Sequence, residues 1–430
     1  MTSLSLYTAV SHFATFTHNF SEADLGQDWA WLAHEEGVRF AFLGTYHELR
    51  SLAATLGQRR QTDGPPFTLA QRTLGQYLAA YRDFQAVLLG VTNANYEREP
   101  APAEWPLRTV VRHTIRTQVT FFALTLYGLN RLRSAEERPL AFPPDEIDRE
   151  VIPLDQLHTL LLEQSRQDAI NFYDNLHRRT LAEFADMTDT EIKGPSLWWE
   201  GEPYSLEHRL HRFDAHLRQH TIQVEKTLEQ LGQPPTEAHK LLRLMYQALA
   251  EVEAATIGAS DLGQAEQQAL AETIQNRAQE VAQVVAQNRA MATAVAEGEL
   301  AKVNALLAAN PRLVNTLNAQ RLPVIVSALY NGQPEIAAVL QEAGARLDLF
   351  AATAVGRFDL VQEELTTYPE DVNEYSRDGF TPLQLACYFG HEDLALWLID
   401  HGADVHTVAR NEFKIQPIHA AAASGSLKML

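Results

Sequence analysis

The strongest constraint on this chain is a spacing that recurs through its last third. Gly298, Gly332, Gly356, Gly390 and Gly425 stand 34, 24, 34 and 35 residues apart. Apolar residues follow each of the first four at four or five positions and again at eight or nine: Val303, Leu306 and Leu307; Ile336 and Leu340; Leu360, Val361 and Leu365; Leu394, Leu398 and Ile399. That spacing draws one helical stripe per unit. A single unit of this length cannot bury such a stripe, so the units must stack on their neighbours into a solenoid. The array is expected from about Arg289 to Leu430, with the short interval of 24 marking a unit that lacks a loop, around Gly344 to Gly356.

The fourth unit carries the more specific words. Asp378-Gly379-Phe380-Thr381-Pro382-Leu383-Gln384-Leu385-Ala386 resembles the ankyrin signature, with Gln384 where histidine is usual. Thr381 is placed to cap a helix, and Pro382 sits at its first position, where a missing N–H costs nothing. His401-Gly402-Ala403-Asp404-Val405-His406 is similar to the family's loop, and Gln416-Pro417-Ile418-His419-Ala420-Ala421 repeats the signature more loosely. Another kind of helical-hairpin repeat is the alternative. The ankyrin resemblance implies a protein partner held on a concave face. Leu430 lies five residues beyond Gly425, so the last repeat is expected to be incomplete, either as a truncation or with another surface covering it. Cys387, in a helix of small residues, is expected to be a packed core residue.

Composition narrows the function classes. A net charge of −20 over 430 residues argues against a generic nucleic-acid binder, since duplex binding depends on cations that displace condensed counterions. With one cysteine no intramolecular disulfide can form. The first 20 residues lack Lys and Arg, unlike a secretory signal. The most apolar stretch, Val119 to Leu129, is far short of the ~20 residues a membrane span requires. A cytoplasmic protein with no membrane and no nucleic-acid partner is the expectation.

Residues 66–232 read as four long amphipathic helices, Thr68 to Val91, Leu107 to Leu132, Leu154 to Phe184 and Ser205 to Leu231, with Pro-containing connectors between the first three. Runs alternating with period two are few, so an all-α fold with a four-helix bundle is the simplest assembly. Residues 1–65 are expected to pack on the bundle as an N-terminal extension. Residues 233–287 should be connecting helices, Glu237 to Ala255 and Leu262 to Gln287, with the repeats filling 288–430.

Three words in the bundle resemble the DinB superfamily. The first is Glu104-Trp105-Pro106-Leu107-Arg108, leading through Val110 and Val111 to His113. The second is Ala182-Glu183-Phe184-Ala185-Asp186-Met187-Thr188-Asp189-Thr190-Glu191. The third is His216-Leu217-Arg218-Gln219-His220-Thr221-Ile222-Gln223, similar to the family's His-x-x-x-His segment with its trailing Gln. Residues four apart on a helix lie ~40° apart around the axis and ~6 Å along it, so His216 and His220 can converge on one ion. With 16 histidines in 430 residues, roughly 0.6 such pairs arise by chance, so the pair becomes informative only inside the resembling word. His113, in the other word, is the natural third ligand from a neighbouring helix. Three imidazoles would leave a position open for water or substrate.

The resemblance implies a divalent metal, zinc or nickel, and an activity among metal-dependent thiol transferases and hydrolases, with a small thiol as possible substrate. Copper and iron suit three imidazoles as well. No Ser-His-Asp or Cys-His arrangement and no phosphate-cradling loop competes, and no general base stands out. The alternative is a non-catalytic adaptor working through the repeats, with the bundle as scaffold. His158, His177, His208 and His211 are weaker site candidates, while Gln118 and Gln223 could orient imidazoles.

Overall fold

The structure is a computed structural model, described for residues 4–143 and 145–425. The chain divides into two compact units, Met1–Asn19 with Phe42–Gln279, and Phe20–Ala41 with Glu280–Leu430. Among the described residues the only paired strands are Pro195–Ser196 and Tyr204–Ser205, two residues each, so the all-α expectation holds. No helix among them is long and apolar enough to cross a membrane.

The first unit is built on helices Leu69–Val87, Leu107–Arg133, Arg166–Phe184 and Leu206–Gln230. The last of these packs against the first and second, and the second also meets the third. Their apolar stripes close one core that includes Leu74, Tyr77, Ile115, Phe122, Leu176, Phe184, Phe213 and Leu217. A further helix, Glu237–Thr256, lies along the first. Arg82 joins the two by donating to both carboxylate oxygens of Glu253, at 2.8 and 2.6 Å.

The expected third helix, Leu154 to Phe184, is two helices, Leu154–Leu162 and Arg166–Phe184. Ser165 starts the second of them. Its hydroxyl accepts from the Asp168 amide at 3.2 Å, and the Asp168 carboxylate accepts from the Ser165 amide at 3.2 Å. This reciprocal capping box satisfies helix-start donors that an unbroken helix would not leave free. The apolar stripe continues across the break, which is why periodicity alone reads as one element.

The segment 1–65 does not act as one extension of the bundle. Helix Leu6–Thr17 and, from Phe42 onward, helix Arg39–Asp63 belong with the bundle, whereas Phe20–Ala41 belongs with the repeats. Polar pairing explains the division. Arg289 donates twice to the buried Asp24 carboxylate, at 2.9 and 2.7 Å, and Gln27 and Leu317 exchange both amide bonds, at 2.9 and 3.0 Å. The connecting helix is also longer than expected, Gln264–Ala296. Its Met291, Ala294 and Val295 share an apolar cluster with Val303 and Leu307, so its last turns serve as the first helix of the array rather than as a linker.

In the second unit, helix pairs follow one another: Val324–Tyr330 with Pro334–Glu342, Leu349–Val355 with Phe358–Thr367, and Pro382–Phe389 with Glu392–Asp400, then the single helix Pro417–Ser424. The 24-residue interval is the place where Glu342 is followed directly by residues 343–348 and the next helix, without a hairpin loop. Asp348 caps that helix, its carboxylate accepting from the Ala351 amide at 2.8 Å. Gly356 and Gly390 end their helices at φ 82° and 77°, a left-handed conformation that glycine adopts without a Cβ clash. The residues in which the last repeat is expected to break off, 426–430, lie outside the described residues.

Gln384 shows how the altered signature still works. It is fully buried, its carbonyl accepts from the Thr381 amide at 2.9 Å, and its amide donates to the Thr407 and Ile415 carbonyls at 3.1 and 2.8 Å. One side chain therefore caps its own helix and ties down the next loop. Gln384→Ala takes away the side-chain partner of the Thr381 amide and of the Thr407 carbonyl, while the Ile415 carbonyl keeps its bond from the Ala409 amide, and is expected to destabilise the array by about 2 kcal/mol. Gln384→His should recover most of that, as read by urea denaturation. Cys387 is buried, and burial pushes its thiol up to about 11, as befits a packed core residue and not a nucleophile.

Candidate metal centre

Ser205 opens the helix that carries two of the three histidines, its hydroxyl accepting from the His208 amide at 3.2 Å. Beyond the cap, Leu210, Phe213, Leu217 and Val224 turn inward, and that register places His216 and His220 on the edge of the same buried face. His113 comes from the helix Leu107–Arg133, held by the buried Val110, Val111 and Ile115. Packing of the two helices brings the three imidazoles together. His216 Nε2 lies 3.2 Å from His113 Nε2 and 3.1 Å from His220 Nε2, and the candidate ligand atoms all fall within 4.8 Å of one another.

Those distances test the fit of a metal. Two nitrogens bound at ~2.0–2.1 Å to one ion with tetrahedral angles lie about 3.3 Å apart, close to both separations. The orientation of His220 adds to the fit. Gln223 Oε1 lies 2.8 Å from His220 Nδ1, which places a proton on Nδ1 and leaves the Nε2 lone pair facing the other two rings. The sequence expectation that Gln223 orients an imidazole therefore matches this geometry. Gln118 does something else: its amide donates to the Phe213 carbonyl at 3.3 Å, tying two helices of the core.

The electrostatics favour neutral rings. Burial pushes His216 down to about 3, and the imidazoles of His220 and His113 add like-charge repulsion to any proton placed there. Burial also lowers His113, with Arg116 contributing, and lowers His220 against the opposing bond from Gln223. Neutral imidazole is the form that ligates, so protons do not compete for these lone pairs near pH 7. Phe121 stands edge-on to His216 with ring centres 5.6 Å apart, closing the rear of the site. The front opens into a cavity of about 370 Å³ walled by Ala103, Glu104, Trp105, Gln219 and Gln223. Trp105 and Glu104 stand in a motif quoted from the sequence, but their place at the mouth had no local signal. Gln219 could have been found: it lies four residues before Gln223, on the same face of the helix.

The remaining histidines stay apart from the triad. His208 stacks on Tyr204 at 4.5 Å, and neither His158 nor His211 joins the cluster. His177 is buried in the bundle core, stacked on Tyr81 at 3.7 Å, and neither ring nitrogen has a hydrogen-bond partner among the described residues. Burial holds its pKa well below the ordinary value, and Arg82 and Arg178 lower it further. The native state thus refuses a proton that the unfolded chain accepts below about pH 6.5. Stability is unaffected above that pH and is lost as pH falls below it, at up to about 1.4 kcal/mol per unit. In metal-free protein, melting temperatures from pH 7.5 to 5 should fall less steeply for His177→Phe than for the parent.

The fold and the site define a class: a helical bundle with an open three-imidazole centre, in a chain that also bears a helical-repeat array. The family model of the DinB superfamily matches residues 76–224, and that of ankyrin repeats (three copies) matches residues 349–430. The chain therefore carries a DinB superfamily domain followed by ankyrin repeats. Its relatives include alpha-latrocrustotoxin-Lt1a of Latrodectus tredecimguttatus, 31% identical over 28% of this chain and 9% of that protein. Ankyrin repeat domain-containing protein 49 of Bos taurus is 44% identical over 15% of this chain and 26% of its own length. Ankyrin repeat and SAM domain-containing protein 3 of Homo sapiens is 32% identical over 15% of this chain and 10% of its own length. The similarity thus spans at most about a quarter of each relative's length. DinB superfamily domains generally bind metal, and the triad is a group that could hold an ion.

Proposed function

We propose that His113, His216 and His220 hold one divalent cation, zinc or nickel, and that the bundle uses it to activate a small thiol or a water for transfer or hydrolysis. The convergence of three Nε2 atoms at 3.1–3.2 Å beside an open cavity carries this reading. Bound there, a divalent ion supplies Lewis acidity that favours thiolate or hydroxide near neutral pH. The chain's own residues supply the rest. Gln223 keeps the proton on His220 Nδ1, Phe121 keeps water from the rear of the site, and Trp105 offers an apolar wall to the substrate. The ankyrin repeats support a protein-interaction module, and we assign them a protein partner on their concave face.

One observation favours a second, non-catalytic reading, in which the bundle is a scaffold for the repeats. Among the described residues Glu104 is the only carboxylate lining the cavity, and it pairs with Lys226 at 3.4 Å, so none of them stands beside the triad as a free general base. Turnover separates the two readings. Metal-loaded protein assayed with a panel of small thiols and electrophiles or ester substrates should show activity that chelation removes and the ion restores. Activity indifferent to chelation, or none across the panel, would leave the scaffold reading.

A further inference from the structure

The second unit contains a cavity of about 580 Å³ between its fingers and inner helices. Two turns form the outer wall. The Ser376 amide donates to the Phe380 carbonyl at 2.8 Å, and the Ala409 amide to the Ile415 carbonyl at 2.8 Å. The inner wall is made by helices Val324–Tyr330 and Pro382–Phe389. Four aromatic rings line it: Tyr330 and Tyr388 with centres 5.9 Å apart, and Phe380 and Phe413, nearly parallel at 17° with centres 6.5 Å apart. Tyr388 and Phe413 are 41% and 65% exposed, a large aromatic surface to leave in water.

The charges in the lining are of one sign. Asp378 and Glu412 contribute carboxylates, and among the described residues no lysine, arginine or histidine lines the cavity. Asp378 is already engaged, accepting from the Tyr330 hydroxyl at 2.7 Å and from the Ser376 hydroxyl at 2.5 Å. Glu412 is exposed and has no ionic partner among the described residues. The nearby Arg410 is turned away, with its guanidinium over the Tyr375 ring at 3.9 Å. Electron-rich ring faces beside an unpaired carboxylate complement a cation. A guanidinium suits this set better than an ammonium, because it is planar and weakly hydrated and can stack on a ring while donating two parallel bonds to one carboxylate.

From this geometry we propose that the cavity receives an arginine side chain of a partner polypeptide, with Tyr388 and Phe413 as stacking surfaces and Glu412 as counter-ion. The inference rests on the reading of the repeats as a protein-binding surface and gives that surface a chemical preference. The test uses the full chain labelled with fluorotyrosine, observed by fluorine NMR, with the Tyr388 resonance assigned through Tyr388→Phe. It is titrated with a short capped peptide bearing one central arginine, and with the same peptide bearing citrulline, a neutral isostere. The arginine peptide should shift the Tyr388 resonance saturably and bind about tenfold more tightly than the citrulline peptide. Glu412→Gln, at an exposed position where the fold is not at risk, should erase most of that difference. Equal binding of the two peptides would overturn the arginine preference while leaving the array a peptide-binding surface. No saturable shift with either peptide, or an unchanged ratio in Glu412→Gln, would overturn the proposal outright.

Discussion

Replacing His216 and His220 together by alanine is expected to reduce bound metal from about one ion per chain to none, while the far-ultraviolet signature of the helices survives. The expectation follows from how the site is assembled. Two of the three imidazoles sit one turn apart on a single helix, and their Nε2 atoms lie 3.1 Å apart, with His113 completing the set at 3.2 Å. Removing both leaves a single imidazole, which cannot hold a divalent ion against water. The helix itself does not depend on these rings, since Leu210, Phe213, Leu217 and Val224 anchor it and the histidines border the cavity. Elemental mass spectrometry on tag-free protein, parent beside variant, measures the outcome directly. An ion retained by the variant would place it elsewhere in the chain. No ion in the parent, even after reconstitution at about pH 8 where imidazole is neutral, would end the metal reading.

The second large effect is at Phe213, three residues before His216 and deeper in the same buried face of the helix. It is 1% exposed, and its ring meets Tyr77, Phe121 and Phe184 at centre separations of 5.2, 5.7 and 6.5 Å. These rings come from the other three bundle helices, so truncation opens a cavity where all four helices meet. Phe213→Ala should cost about 3–5 kcal/mol, lost transfer energy and cavity formation together. Guanidinium denaturation, followed by a signal specific to the bundle, gives the number. A loss under about 1 kcal/mol would mean the four rings do not form the central core. Because Phe213 touches no ligand nitrogen, variant protein that remains folded should still bind metal. The pair of variants thus separates the stability of the bundle from the chemistry at its edge.

Much of this was legible along the chain, for identifiable reasons. The repeat spacing, the Thr381-Pro382 helix start and the glycine helix ends are local: a few neighbouring residues carry the whole signal. The same holds for His216 and His220, since helix geometry alone places residues four apart on one face. His113 was a different case. Only its place in a family-like motif points to it, and nothing within its own helix indicates which ring it will meet.

What only the tertiary structure decided lies between elements. The assignment of Phe20–Ala41 to the repeats turns on Asp24 meeting Arg289 and Gln27 meeting Leu317, pairings across more than two hundred residues. The extension of helix Gln264–Ala296 into the array depends on Met291 and Val295 finding Val303. The role of Gln384, the mouth formed by Glu104, Trp105 and Gln219, and the aromatic cavity lined by Glu412 arise in the same way. The sequence by itself determined which helices form and which faces they must bury, because those choices rest on propensities and periodicities within a few turns. Which faces meet is settled by many small packing and hydrogen-bond terms summed over distant residues, and no short stretch of sequence contains that sum.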